Sequence, residues 1–363
     1  MKLIDTKDAV GTVLCHDITQ IVKGVTKDAR FRKGHIVTEE DIPVLLSLGK
    51  EHLYIWETTE GSVHENDAAL RLQKICQGSN MHGTPVKEGK IELIADTDGL
   101  FIVNSDALLS INSIPDITIA TRHGCTAVTK GSKLAGFRVI PLVIEEQLLA
   151  QAEAVSKEPI LDVVPWKIKT AAVITTGSEV YHGRIQDTFT PVIKDKLAAY
   201  GISCIFHKLC DDKTELIQQA VHEAVQSGAQ MVLCTGGMSV DPDDRTPGAI
   251  KAAGAHIVTY GSPVLPGAMF LLGYLRKDGS GVPADNAVTS PEHAWNEKLA
   301  DGYIPVMGLP GCVMYAASTV FDIVLPRVAA GLRVAKKDII ALGEGGLCLS
   351  CPKCTFPNCG FGK

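Results

Sequence analysis

The stretch Ala171-Ala172-Val173-Ile174-Thr175-Thr176-Gly177-Ser178-Glu179 joins an apolar run to a glycine turn that ends in a carboxylate. The same arrangement recurs at Met231-Val232-Leu233-Cys234-Thr235-Gly236-Gly237-Met238-Ser239, with Asp244 a short way beyond. Continuous apolar runs are typical of parallel strands buried on both faces. Glycine after such a strand lets backbone N–H groups approach a phosphate without a Cβ in the way. The two turns therefore predict an anion site, although glycine in a strand-to-helix turn can also serve packing alone.

Strands and helices alternate around these turns, which predicts an α/β domain of three layers with a mostly parallel sheet. Pro191 and Gly201 supply the start and stop signals of one helix, and Thr246-Pro247 opens another. A further strand at residues 304–307 leads into Gly308-Leu309-Pro310-Gly311, and a long helix is expected from about Val313. Ligands of such sheets bind at the carboxyl ends of the strands, where we expect the three glycine turns to converge.

The rest of the chain has weaker patterns. Residues 151–169 lose their periodicity and carry Pro159 and Pro165, which indicates a linker. The predicted segments are a small α+β unit (1–60), a β-rich region (61–150), that linker (151–169), the α/β domain (170–334) and a Cys-rich tail (335–363).

The composition excludes several classes of protein. A chain of 363 residues that is 45% hydrophobic can bury a sizeable core. Its formal charge of -6, without a block of Lys or Arg, predicts no nucleic-acid or membrane partner. Acidic residues stand near the N-terminus where a signal peptide would be apolar, and the longest apolar run, residues 267–275, is too short to span a bilayer. We therefore expect a cytoplasmic protein with reduced thiols, and we expect a homo-oligomer.

A set of motifs occurs in a recognisable order: Thr176-Gly177-Ser178-Glu179, Gly183-Arg184-Ile185-Gln186-Asp187, Gly236-Gly237-Met238-Ser239, Asp244 and Gly308-Leu309-Pro310-Gly311. Over residues 171–331 the chain resembles the molybdenum-cofactor biosynthesis domain shared by molybdopterin adenylyltransferases, molybdopterin molybdotransferases and gephyrin. The resemblance implies that the glycine turns hold the phosphate and pterin of molybdopterin or its adenylylated form. It also implies that acidic residues position Mg²⁺ and the nucleotide-linked intermediate.

The same resemblance assigns residues to these roles. Those implied to bind molybdopterin are Thr176, Gly177, Ser178, Gly236, Gly237, Ser239, Pro266, Gly267, Pro310 and Gly311. The acids implied in catalysis are Glu179, Asp187, Asp211 and Asp244. A structural interpretation competes for some of them, because Asp211, Asp212 and Asp244 all precede predicted helices and are suited to cap them. His207 has no partner at a recognisable spacing and is interpreted as an ordinary polar residue.

Departures from the family pattern bear on activity. The family usually has a lysine and a proline where Ala268 and Met269 stand, and asparagine-proline where Cys312-Val313 stands. Loss of that lysine removes a cation suited to an oxyanion.

The protein is predicted to bind molybdopterin in molybdenum-cofactor biosynthesis. If it is an enzyme, the predicted activity is that of a Mg²⁺-dependent molybdotransferase acting on adenylylated molybdopterin. The alternative is a non-enzymatic carrier, a sensor or an insertion partner for a molybdoenzyme.

The tail has a motif of its own. Cys348, Cys351, Cys354 and Cys359 give the spacing C-x2-C-x2-C-x4-C. Four thiolates this close in sequence suit tetrahedral Zn²⁺ or an iron–sulfur cluster, and the spacing alone does not separate the two. A tail of free thiols is the alternative.

Overall fold

The computed structural model describes residues 2–22, 26–55, 61–239, 241, 244–282, 288, 290 and 294–363. The chain divides into two compact units, neither of which is continuous in sequence. Unit 1 comprises Met1–Ile94, Ser105–Arg122 and Lys133–Leu161, and unit 2 comprises Ala95–Asn104, His123–Ser132 and Asp162–Lys363. None of the helices in the described ranges has both the length and the apolar character that crossing a bilayer requires.

Short strands and helices make up the chain as far as residue 165. In chain order they are β1 (Lys2–Asp5), β2 (Ile18–Val22), β3 (Thr26–Phe31), α1 (Asp41–Ser47), β4 (His52–Ile55), β5 (Ser62–His64), α2 (Glu65–Cys76), β6 (Met81–Gly83), β7 (Ile91–Ala95), β8 (Gly99–Val103), α3 (Ser105–Asn112), β9 (Ile117–Thr121), β10 (Thr126–Val128), β11 (Lys133–Val139), β12 (Val143–Glu145), α4 (Glu146–Val155) and β13 (Leu161–Pro165).

Unit 1 contains small sheets in the orders β1-β4, β2-β3, β12-β5 and β6-β7-β11-β9. The pairs β1–β4, β2–β3, β5–β12, β7–β11 and β9–β11 are antiparallel. Three helices, α2, α3 and α4, lie within residues 61–155, so the region predicted to be β-rich is a mixture of helices and strands. Residues 151–169 also differ from the predicted linker, because they include the end of α4 and the strand β13. Pro165 is the last residue of β13, which lies at the edge of its sheet, a position that tolerates proline.

The remaining elements belong to unit 2. They are β14 (Thr170–Thr176), α5 (Ser178–Tyr181), α6 (Phe189–Ala198), β15 (Ser203–Cys210), α7 (Thr214–Gln226), β16 (Val232–Thr235), α8 (Thr246–Ala252), β17 (His256–Tyr260), β18 (Leu271–Arg276), β19 (Tyr303–Leu309), α9 (Val320–Ala329) and α10 (Lys336–Ile340). The predicted long helix from Val313 is instead a 3-10 turn, Gly311–Met314, followed by α9. A capping box of Thr319 and Asp322 fixes the start of α9.

A six-stranded sheet in the order β15-β14-β16-β19-β18-β17 forms the centre of unit 2. The pairs β14–β15, β14–β16 and β16–β19 are parallel, whereas β18 and β17 are antiparallel additions at one side. The predicted three-layer α/β fold with a mostly parallel sheet is therefore confirmed. A separate three-stranded sheet, β10-β8-β13, completes the strands of the unit.

Alternate residues of β14 bury themselves on opposite faces of this sheet, as the strand geometry requires. Val173 packs in a core with α6 and α9, represented by Leu197 and Phe321. Ile174 packs in a second core with α7 and α8, represented by Val221. Each large side chain buried in this way contributes roughly 1.5–3 kcal/mol of transfer free energy. Helices on both faces hold the strand ends in fixed positions.

The C-terminal segment is part of the first of these cores. Ile339 of α10 and Phe361 are buried in it, and Cys348, Phe356 and Cys359 pack against it while remaining partly exposed. The sequence pattern had placed residues 335–363 outside the α/β domain. The structure differs because a few apolar side chains, spaced without helical or strand periodicity, anchor the segment.

Candidate functional site

The strand register brings the predicted site segments to one edge of the sheet. Thr176 pairs with Cys210, Thr175 pairs with Thr235, and Thr235 pairs with Leu309. All of these residues stand at or beside the carboxyl end of a parallel strand. The residues that leave the sheet at this edge are Gly177, Asp211, Gly236 and Pro310. The expected convergence of the three glycine turns is therefore present.

The first turn is bonded to the loop that follows β15. The backbone N–H of Ser178 donates to Asp212 Oδ2 at 2.8 Å, and Ser178 Oγ donates to Asp211 Oδ1 at 2.7 Å. Lys213 Nζ lies 3.1 Å from Asp211 Oδ2. The hydrogen bond from Ser178, reinforced by Lys213, lowers the pKa of the Asp211 carboxyl below its ordinary value. Asp211 is therefore a carboxylate at neutral pH.

These two acids do not cap α7. The capping position of that helix is Lys213, which makes no side-chain capping bond. Both Asp211 and Asp212 direct oxygens at Ser178 instead, so the interpretation of this pair as helix caps is wrong. Asp212 Oδ1 is buried and has no hydrogen-bond partner within the described ranges. Sequence reasoning had assigned no site role to Asp212.

The second turn packs tightly on the first. Gly236 has φ +80° and Gly237 has φ +54°, both in the left-handed region. A Cβ at Gly236 would lie 2.1 Å from the carbonyl oxygen of Thr176, and one at Gly237 would lie 2.8 Å from Thr246 Oγ1. The hydroxyls of Thr176 and Thr246 are themselves 3.1 Å apart. Only glycine fits at both positions, because a Cβ at either one would enter the contact between the second turn and its neighbours.

Asp244 precedes α8 without capping it. The capping position is Arg245, again without a side-chain capping bond, and the N–H of Thr246 donates to the carbonyl of Gly237. The Asp244 side chain is half-buried. Burial, and then the negative charge of Asp244, raise the pKa of Tyr260, whose hydroxyl donates to the carbonyl of Met238. Asp244 therefore stands close to the second turn.

Asp187 belongs to a separate cluster. It accepts hydrogen bonds from the backbone N–H groups of Phe189 and Thr190 at the start of α6, and from the hydroxyls of Thr190 and Thr175. Burial alone would raise the pKa of its carboxyl, but the hydrogen bonds outweigh it and lower that pKa. His207 Nε2 lies 3.3 Å from Asp187 Oδ2, so this histidine has a partner that its spacing in sequence could not indicate.

The alternation of side chains along β14 explains why Asp187 lies in a different cluster from the other predicted acids. Thr175 and Thr176 point to opposite faces of β14. Thr175 bonds to the Asp187 cluster beside α6, whereas Thr176 bonds to Thr246 of α8. The structure thus joins Ser178 with Asp211, joins Thr176 with the second turn, and holds Asp187 in the hydrogen-bond network that begins α6.

The remaining predicted residues occupy the rim of this edge. The carbonyl of Pro266 accepts from the N–H of Val320, and a Cβ at Gly267 would lie 2.5 Å from Val320 Cγ1, so this turn packs on the start of α9. Pro310 is buried. The residues that are exposed are Glu179, Ser239 and Gly311.

Two buried oxygens at the edge are short of partners. Thr235 Oγ1, at the end of β16, is fully buried and makes no hydrogen bond to any described residue. Asp212 Oδ1 is the other. Buried polar atoms are nearly always satisfied by protein, water or ligand, so both atoms point to an additional group at this edge. A sequence pattern cannot indicate such atoms, because whether a buried oxygen has a hydrogen-bond partner depends on the folded structure around it.

In the described part of the chain, no group of three or more His, Cys, Asp or Glu side chains is already arranged to hold a metal ion. This applies to the acids at the sheet edge and to the four cysteines of the tail. Mg²⁺ nevertheless often takes only one or two carboxylates and completes its shell with phosphate and water. The predicted zinc or iron–sulfur centre and the predicted Mg²⁺ remain predictions.

Comparison with known families agrees with this geometry. Residues 172–330 match the family described as "Probable molybdopterin binding domain", and residues 3–57 match a domain of unknown function. Proteins of Bacillus thuringiensis and Bacillus anthracis named as competence-damage inducible are 32% identical over 95 residues. That match covers 26% of this chain and 23% of those relatives.

Two solved structures show a limited similarity to this chain. MoaB of Pyrococcus furiosus, described as a tungsten cofactor synthesizing protein, is 20% identical, covers 45% of this chain and 93% of its own, and has a TM-score of 0.32. The molybdopterin biosynthesis enzyme MoaB of Thermus thermophilus is 18% identical, with 45% and 98% covered and a TM-score of 0.33.

Proposed function

We propose, from the premise that residues 172–330 are a domain of the molybdenum-cofactor biosynthesis family, that this protein binds molybdopterin at the carboxyl edge of its six-stranded sheet. The observation that carries the proposal is the meeting of the turns at Gly177 and Gly236-Gly237, which lie against each other at that edge. Glycine turns of this kind present backbone N–H groups, which can donate to the oxygens of a phosphate.

Unsatisfied oxygens support the same placement. A pterin ring carries N–H donors, and a hydroxyl such as Thr235 Oγ1 can both donate and accept. Its burial at the end of β16 favours a polar ligand group reaching that depth. In this proposal Thr176, Ser178, Pro266 and Gly311 complete the walls of the site.

A magnesium ion fits the donors of this edge. Asp212 Oδ1 is a buried carboxylate oxygen without a described partner, and Asp244 is a half-buried acid beside the second turn. We propose that these two hold Mg²⁺, with Ser178 and Lys213 fixing Asp211 beside them. When bound, Mg²⁺ would neutralise charge that develops on a cleaved phosphoanhydride. The exposed Glu179 is free to turn toward the nucleotide part of an adenylylated ligand, and Asp187 positions α6.

The finer proposal is Mg²⁺-dependent transfer of molybdate to adenylylated molybdopterin. A carrier or insertion partner for a molybdoenzyme is the second candidate, and one feature favours it. Ala268, exposed on the turn that follows Gly267, stands where the resemblance leads one to expect a lysine. Without that cation the edge is better suited to holding a ligand than to receiving an oxyanion.

One experiment separates the two candidates. The purified full-length chain is incubated with adenylylated molybdopterin, Mg²⁺ and molybdate, and AMP and active cofactor are measured. Release of AMP with formation of active cofactor supports the transferase. Saturable binding of molybdopterin without AMP release supports the carrier, and absence of binding to either form of the ligand would contradict the proposed function as a whole.

A further inference from the structure

Four thiols of the C-terminal segment line one pocket of unit 2. The pocket has a volume of about 590 Å³, and Cys348, Cys351, Cys354 and Cys359 all contribute to its wall. Cys351 and Cys354 are exposed, and the other two are half-buried. None of the four, all of which are described, is in a disulfide. All four donors thus line one cavity, although no three of these described side chains are yet close enough to share a metal ion.

Both ends of this segment are fixed. The N–H of Cys348 donates to the carbonyl of Leu265 at 2.8 Å, and the N–H of Gly362 donates to the carbonyl of Gly345 at 3.0 Å. Phe361 is 5% exposed and packs in the core below α9. Residues 345–362 therefore form a closed loop anchored on the α/β unit, and the thiols cannot separate widely.

The stretch between the anchors packs against the core through Phe356 and Cys359 but lacks regular secondary structure. Residues 349–360, which are all described, contain no helix or strand. Leu349 is 80% exposed, and Ser350 has φ +49°, a left-handed conformation that non-glycine residues rarely adopt. Ordering a residue costs roughly 1–2 kcal/mol of backbone entropy. Binding of a metal ion would offset part of this cost, because metal binding is coupled to folding in small Cys-rich sites.

We infer that Cys348, Cys351, Cys354 and Cys359 together bind one thiophilic metal centre, either Zn²⁺ or an iron–sulfur cluster. Four thiolates give a closed tetrahedral site, and soft sulfur ligands select these metals over Mg²⁺ or Ca²⁺. The thiols still have to draw together on binding. This requires movement only of the loop, because its two exposed thiols lie on the stretch without helix or strand.

The pocket that would hold the metal centre lies next to the rim of the sheet edge. Pro266, which belongs to the turn beside the start of α9, lines the same pocket, and so does Ser318, whose hydroxyl lies 3.4 Å from Cys354 Sγ. The metal centre would therefore adjoin the rim of the sheet edge while its four ligands are all outside the proposed molybdopterin site. The inference stands or fails independently of molybdopterin binding.

The test begins with the full-length chain, purified without oxygen and analysed for zinc, iron and acid-labile sulfide. We expect one centre per chain: zinc without a visible absorption band, or iron with sulfide and a broad visible band. In addition, Co²⁺ titrated into metal-free protein should give a thiolate-to-metal charge-transfer band that saturates at one equivalent. Absence of zinc and iron from the purified protein, together with no charge-transfer band, would overturn the inference.

Variants then assign the ligands. Cys351→Ser with Cys354→Ser should lower bound metal by at least about tenfold, since two of four ligands are removed. Cys204→Ser is the matched control, because it removes a half-buried thiol of β15 outside the pocket and should leave metal content unchanged. Circular dichroism establishes that each variant is folded. Full metal retention in the folded double variant would exclude these thiols as ligands, and the Co²⁺ titration of the unaltered chain decides the question if that variant does not fold.

Discussion

Replacing Gly236 with alanine tests the tight contact between the two turns. The added Cβ would lie 2.1 Å from the carbonyl oxygen of Thr176, so one turn has to move by roughly 1 Å to restore normal contact. At φ +80° alanine also bears left-handed strain of about 1–2 kcal/mol. Overpacking adds about 1–3 kcal/mol. The expected loss in free energy of unfolding is therefore about 2–5 kcal/mol.

Two other glycines separate these contributions. Gly228 has φ +83°, and a Cβ added there would have no atom within 4 Å, so Gly228→Ala carries the strain alone, about 1–2 kcal/mol. Gly248, in α8, has open space and no positive φ. Gly248→Ala should be neutral or stabilising by up to about 1 kcal/mol, because alanine is the better helix former.

The assay has to report on unit 2 alone, since the chain has two compact units that can unfold separately. Hydrogen exchange of the amides of β14 and β16, followed by mass spectrometry in increasing urea, gives the free energy of unfolding of this sheet. The reasoning is refuted if Gly236→Ala costs no more than Gly228→Ala. That result would mean that the turns do not press on each other.

Three further predictions concern single side chains of the sheet edge. If the chain is a transferase, Asp244→Asn should lower AMP release by at least about tenfold while molybdopterin affinity changes little, and undiminished release would make the acid dispensable. Asp187→Asn should destabilise unit 2 by about 1–2 kcal/mol at pH 7. Hydrogen bonds lower the folded-state pKa of Asp187 below its ordinary value, so its contribution is complete above that ordinary value and is lost as pH falls through the folded-state pKa. The free energies of unfolding of unit 2 in wild type and variant should therefore converge in acid. Thr235→Val removes a buried hydroxyl without a described partner, so the unliganded protein should keep or gain stability while its affinity for molybdopterin falls; equal affinity in a titration would show that the hydroxyl does not reach the ligand.

The sheet could be predicted because its signals are local. The apolar runs at Ala171 and Met231, each followed by a glycine turn, predict buried parallel strands whose ends share an edge, and β14 and β16 confirm this. The start of α9 could not be placed in the same way. Its signal, the capping box of Thr319 and Asp322, was hidden behind an apolar stretch from Val313 that reads equally well as helix.

The contacts of the site depend on pairing between distant segments and are not visible in the sequence. His207 was interpreted as an ordinary polar residue, yet strand pairing places it beside Asp187. Asp211 and Asp212 precede a helix and resemble caps, yet both bond to Ser178 because β14 and β15 are parallel neighbours. Local spacing predicts elements, whereas the partners of a polar side chain follow from topology.

The most direct test of the account is a titration of the purified chain with molybdopterin, comparing the unaltered protein with Gly237→Val. The Cβ of a valine there would lie 2.8 Å from Thr246 Oγ1 and 3.2 Å from Thr176 Oγ1, so the second turn would have to move. We predict saturable binding of molybdopterin at one equivalent per chain. Gly237→Val should weaken this binding at least about tenfold, because loss of phosphate contacts should cost about 1.4 kcal/mol or more. Gly248→Ala should leave the affinity unchanged. Equal affinity in a folded Gly237→Val variant, or no binding by the unaltered chain, would contradict the placement of molybdopterin at this sheet edge.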